Sequence, residues 1–181
     1  TVGASEAIAA AILGLVEPGS EVLLLEPFFD TYAPVIAMAG AHRVAVPLVP
    51  DGRGFALDID AVRAAITPRT RAIIVNSPHN PTGMVLGDGD LRALAEVAVA
   101  ADLLVISDEV YERLTFDGRE HRPVATYPGM ADRTVTISSA AKMFNCTGWK
   151  IGWACGAPKL VAGVRAAKQY LSYVGGAPFQ P

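Results

Sequence analysis

Lys142 follows four small residues, Ser138-Ser139-Ala140-Ala141, directly after an apolar run. A lysine amine stripped of water and of its proton can attack a carbonyl, and small neighbours leave room for a bulky partner against it. Two other stretches carry residues of similar interest. Asp108 and Tyr111 stand in Ser107-Asp108-Glu109-Val110-Tyr111, and Asn80 stands in Asn76-Ser77-Pro78-His79-Asn80-Pro81-Thr82-Gly83. Each has a plain structural reading when taken alone. Asn-Pro-x-Gly is a turn, an aspartate after a strand is commonly a helix cap, and most lysines are solvated.

The elements that must position these residues follow from the apolar pattern. The pattern predicts helices over Ser5 to Val16, Phe28 to Ala39, Ile59 to Ile66, Gly89 to Ala101 and Pro158 to Tyr173. Ser5 is the expected N-cap of the first helix. Short apolar runs predict strands over Glu21 to Leu25, His42 to Leu48, Arg71 to Val75, Leu103 to Ile106, Arg133 to Ile137 and Ile151 to Cys155. Strands that alternate with helices across short loops define an α/β domain with a mostly parallel sheet. Such sheets bind ligands beyond the carboxyl ends of their strands. Lys142, Asp108 and Asn80 all follow predicted strands.

Composition narrows the function. The 181 residues hold 15 Lys+Arg and 18 Asp+Glu, a net charge of −3, and 51% are apolar. Disorder needs low hydrophobicity and high net charge. A nucleic-acid-binding domain carries a basic excess, which is absent. Ala7 to Val16 is the longest apolar run, far short of the roughly 20 residues of a membrane span. Two cysteines, Cys146 and Cys155, make no disulfide framework. With no signal-peptide pattern visible, the expected location is the cytoplasm. Both ends fall inside patterned sequence, so the chain reads as a segment of a longer one.

Five ordered motifs carry a resemblance. They are Gly3-Ala4-Ser5-Glu6-Ala7, Glu26-Pro27-Phe28-Phe29-Asp30-Thr31-Tyr32, the Asn76–Gly83 stretch, Ser107 to Tyr111, and Ser139-Ala140-Ala141-Lys142 with Thr147-Gly148-Trp149-Lys150-Ile151-Gly152. Together they resemble the class I/II aminotransferases of the fold-type I superfamily that depends on pyridoxal 5′-phosphate (PLP). The resemblance covers essentially the whole chain. It implies a three-layer α/β/α PLP-binding large domain over 1–181, without its N-terminal arm and C-terminal small domain. Within that family the chain is similar to the actinobacterial N-succinyldiaminopimelate aminotransferases, which stand near the kynurenine and glutamine aminotransferases.

The resemblance also implies roles. Lys142 matches the lysine that binds PLP covalently and later shuttles a proton at the substrate Cα. Asp108 matches the carboxylate on the pyridine nitrogen, which keeps the ring an electron sink. Tyr111 and Asn80 match the pair that hydrogen-bonds the cofactor's phenolic oxygen. Ala4 and Ser5 offer backbone N–H groups to the phosphate at a helix N-terminus. Ser139 matches the phosphate-binding serine. Lys150 stands where many relatives carry arginine, and acts as a point charge, not a fork. Phe29 matches the aromatic stacked on the ring, and Val110 the apolar residue on its other face. Tyr32, His79, Glu109, Trp149 and Trp153 read as structural, and His42 and His121 have no motif around them.

The implied reaction moves an amino group from an amino acid, glutamate in the first instance, to a 2-oxo acid by ping-pong chemistry. The implied assembly is a homodimer, with Ser172 to Pro181 reaching toward the partner's site. No residue matches the arginine that grips a substrate α-carboxylate in this family. Kynurenine, glutamine or methionine transamination, a C–S lyase of the same fold, and a PLP-binding sensor domain of a transcription regulator share these cofactor motifs. A segment without activity of its own is the remaining alternative.

Overall fold

A computed structural model describes residues 1–52 and 54–175. In chain order the elements are α1 (Gly3–Leu15), β1 (Glu21–Glu26), α2 (Tyr32–Met38), β2 (His42–Pro47), β3 (Val49–Pro50), β4 (Phe55–Ala56), α3 (Ile59–Ala64), β5 (Thr70–Asn76), α4 (Asp88–Ala100), β6 (Leu104–Asp108), β7 (Thr134–Ser139), α5 (Ala140–Met143), β8 (Gly152–Gly156) and α6 (Pro158–Leu171). Six strands form one sheet in the order β2-β1-β5-β6-β7-β8. The first five run parallel, and β8 pairs antiparallel with β7. That mixed edge is the one departure from the parallel pattern expected of the main sheet.

The sheet separates two apolar cores, as strand periodicity requires. Val22, Leu24, Ile74, Ile106 and Ile137 face the core under α1, α2 and α6. Leu23, Leu25, Ile73, Val75 and Val105 face the opposite core under α3 and α4. Strands buried on both faces explain the unbroken apolar runs. The architecture is three-layer α/β/α, as the resemblance implied.

Helix boundaries differ from expectation in two places that matter for the site. Ser5 is not the N-cap of α1. The helix opens at Gly3, whose φ of 73° suits glycine, and the Glu6 side chain caps it by accepting the Val2 amide at 2.6 Å. The second helix starts at Tyr32, not Phe28. The reason is Pro34. A helix from Phe28 would bury Pro34 in its interior, against the carbonyl of Asp30, whereas a start at Tyr32 puts it in the first turn, where a missing N–H is harmless. The stretch before Tyr32 is thereby freed to present Phe29. The β3–β4 hairpin and α5 were not expected from the pattern, being only two and four residues long. Of the predicted partner-reaching segment, residues 176–181 lie outside the described residues.

Candidate active site

The carboxyl ends of three adjacent parallel strands converge. β5 ends at Asn76, β6 at Asp108 and β7 at Ser139, and Asn76 stands beside Asp108 in the ladder. A cavity of about 270 Å³ opens beyond them. Its walls include Ala4, Ser5, Phe29, Asn80, Asp108, Val110, Tyr111, Ser139, Lys142 and Lys150, the ten residues singled out from the sequence. Val2, Gly3, Ile8, Asn76, Ala141 and Thr147 complete the lining.

One side of the cavity has the features that suit an anion. Gly3 turns the chain so that α1 starts at the cavity wall, with Ala4 and Ser5 in the first turn, where amides lack intrahelical partners. The helix dipole adds partial positive charge there. Lys150 has φ 56°, in the left-handed region, and its side chain passes close to Gly3. Ser139 ends β7 opposite Gly152 of β8.

The other feature is a buried carboxylate. Asp108 is 3% exposed, and its Oδ2 accepts the Tyr32 hydroxyl at 2.6 Å. Its Oδ1 accepts the Val110 amide at 3.3 Å. Among the described residues no cation forms an ion pair with it. Burial pushes the Asp108 carboxyl above its usual range. The Tyr32 and Val110 hydrogen bonds oppose that rise, and the charge of Glu109 adds to it. A buried acid without a cation favours a positively charged or proton-donating group on its open side. The Tyr111 hydroxyl is also pushed up, by burial first and by Asp108 second. The Lys142 ammonium lies 5.9 Å from the centre of the Tyr111 ring, within cation–π range.

A polar scaffold fixes these groups. Asn76 donates from Nδ2 to the Asp108 carbonyl at 2.9 Å, and its Oδ1 accepts the Asn80 amide at 2.7 Å. His79 contacts Thr82 through Nδ1 at 2.8 Å and is hydrogen-bonded to the backbone of Leu25. Tyr32 and Asn76 are the contributors that sequence reasoning missed. Tyr32 read as packing, and its edge does pack against Phe29, at 5.7 Å and 82° between the rings. The available signal was weak: an amide at the end of an apolar strand run and a tyrosine hydroxyl just beyond another must find partners once buried. His121 is likewise not isolated: its Nε2 lies 2.8 Å from Glu109 Oε2.

The sequence profile described as aminotransferase class I and II matches residues 1–178, and the chain belongs to that family. Over all 181 residues it is 77% identical to a protein of Mycobacterium tuberculosis described as probable N-succinyldiaminopimelate aminotransferase DapC, and it covers 46% of that relative. The solved N-succinyldiaminopimelate aminotransferase from Mycobacterium tuberculosis superposes with a TM-score of 0.99, over 100% of this chain and 47% of that one. Human kynurenine–oxoglutarate transaminase 3 is 39% identical over 188 residues, covering 99% of this chain and 41% of the relative. The chain thus spans about half the length of the curated relatives it matches.

Proposed function

We propose that these residues form the cofactor-holding part of a PLP-dependent N-succinyldiaminopimelate aminotransferase. The observation that carries the substrate class is the 77% identity across the full 181 residues. The observation that supports the cofactor is the pairing, in one cavity, of the helix start of α1 with a buried carboxylate that forms no ion pair among the described residues. A flat aromatic phosphate ester with a protonated ring nitrogen satisfies both.

When bound, PLP supplies an electron sink for the carbanion at the substrate Cα. Asp108 holds a proton on the ring nitrogen. The first-turn amides of Ala4 and Ser5, the Ser139 hydroxyl and the Lys150 ammonium bind the phosphate. Asn80 and Tyr111 bind the phenolic oxygen and steady its charge. Phe29 and Val110, which line the cavity, would pack against the ring and exclude water. Lys142 is the covalent anchor, and it moves a proton at the substrate Cα. The reaction exchanges an amino group between an amino acid and a 2-oxo acid. A homodimer in the cytoplasm is part of the same reading. No helix among the described residues is long and apolar enough to cross a membrane.

The test is amino transfer by the full gene product, with N-succinyldiaminopimelate as donor, 2-oxoglutarate as acceptor and glutamate as the product measured. A higher kcat/KM for kynurenine or methionine would replace the substrate. Pyruvate and ammonia released from cystathionine without an acceptor would replace the reaction class with a C–S lyase.

A further inference from the structure

Tyr32 is 2% exposed and does not line the cavity. Its hydroxyl nevertheless reaches across 76 positions of sequence to the one carboxylate that does, at 2.6 Å. A tyrosine buried only for packing has no need to aim its hydroxyl at a functional oxygen; phenylalanine would fill the space without a polar group to satisfy. The bond takes up Oδ2 of Asp108, and the Val110 amide takes up Oδ1 from the side. Asp108 itself lines the cavity.

We infer that Tyr32 is a positioning residue that acts through Asp108, keeping it ionised and oriented so that the ring nitrogen of a bound PLP stays protonated. The inference rests on the cofactor reading above. The direction of the effect follows from the donor. Burial and the Asp108 charge both push the Tyr32 hydroxyl well above its usual range, so it remains a proton donor at any working pH. A donor bond to a buried carboxylate favours its charged form against the desolvation that opposes it. Among the described residues, Tyr32 from α2 and Glu109 and Tyr111 from its own strand end bear on Asp108. Only Tyr32 donates to it. Without that donor, Asp108 competes better for the ring proton, and the ring loses positive charge.

The experiment is Tyr32→Phe in the full gene product, loaded with PLP whose ring nitrogen is isotope-labelled. The nitrogen resonance reports protonation at that atom directly, independent of turnover. The expected result is a shift toward the unprotonated value and a PLP dissociation constant raised ~10-fold, the scale of one lost hydrogen bond to a charged group. On an Asp108→Asn background the same substitution should change neither quantity further. If Tyr32→Phe does not fold, 3-fluorotyrosine at position 32 keeps the ring and strengthens the donor, and the resonance should move the opposite way. A wild-type protein that binds PLP, with a nitrogen resonance indifferent to both replacements, overturns the role of Tyr32 alone. A folded wild-type protein that binds no PLP overturns the cofactor reading beneath it.

Discussion

Gly152 and Gly3 are in backbone contact: a Cβ added to Gly152 would stand 2.4 Å from the carbonyl carbon of Gly3 and 2.7 Å from the Ala4 nitrogen. That contact sets the start of α1 against β8, so the spacing of the proposed phosphate site depends on a missing methyl group. Gly152→Ala must push the two apart. A destabilisation of about 1–3 kcal/mol is expected, the scale of overpacking, together with weaker PLP binding. Gly148→Ala is the control, because a Cβ there meets nothing within 4 Å. Denaturant midpoints and PLP titrations of the two variants make the comparison, and equal effects would contradict the account.

Asn76 holds two proposed cofactor contacts in register, through the Asp108 carbonyl and the Asn80 amide. Asn76→Ala takes its partner from the part-buried Asn80 amide and leaves the Asp108 carbonyl with the Ser77 amide alone, at 3.3 Å. An amide left unpaired costs up to about 1–3 kcal/mol. The expected phenotype is lower stability and PLP affinity reduced at least ~10-fold, equivalent to 1.4 kcal/mol. Equilibrium titration by cofactor absorbance reads the affinity, and unaltered binding would remove Asn76 from the scaffold.

Asp108 trades stability for function. Its carboxyl is raised above the ordinary 3.8. The folded state therefore binds its proton more tightly than the unfolded chain. Its penalty is absent below the unfolded value, grows as pH rises from the unfolded toward the folded value, and is complete above the folded value. Asp108→Asn, whose amide oxygen can still accept from Tyr32, should make the cofactor-free protein more stable at neutral pH and no different in strong acid. Added PLP should stabilise the wild type more than the variant. Thermal melts with and without PLP test both signs.

Much of this was legible in the residues. Unbroken apolar strands and short loops specify a sheet buried on both faces, and the strand ends direct attention to Asn80, Asp108 and Lys142. Tyr32 was not legible, because its bond to Asp108 depends on where β1 lies relative to β6 in the sheet, which no local pattern encodes. The antiparallel course of β8 was hidden for the same reason. The late start of α2 was readable from Pro34, but the apolar pattern of Phe28 and Phe29 outweighed it.

His79 gives a pH dependence of the opposite sense. Burial lowers its imidazole below the ordinary 6.5, against a backbone hydrogen bond to Leu25 that raises it. The unfolded chain takes up the proton first. Its contribution is fully present above 6.5 and is lost as pH falls toward the folded value. His79→Gln should flatten that part of the stability profile between neutral and mildly acidic pH. An unchanged slope in urea unfolding across that window would contradict the assignment.

The central claim is that Lys142 anchors PLP in the cavity at the ends of β5, β6 and β7. Its most direct test is to load the full gene product with PLP, reduce it with borohydride, digest it and locate the pyridoxyl group by mass spectrometry. The account predicts the adduct on Lys142, and its loss in Lys142→Ala with the fold retained. An adduct on Lys150 instead, or none on a folded protein in excess PLP, would contradict it.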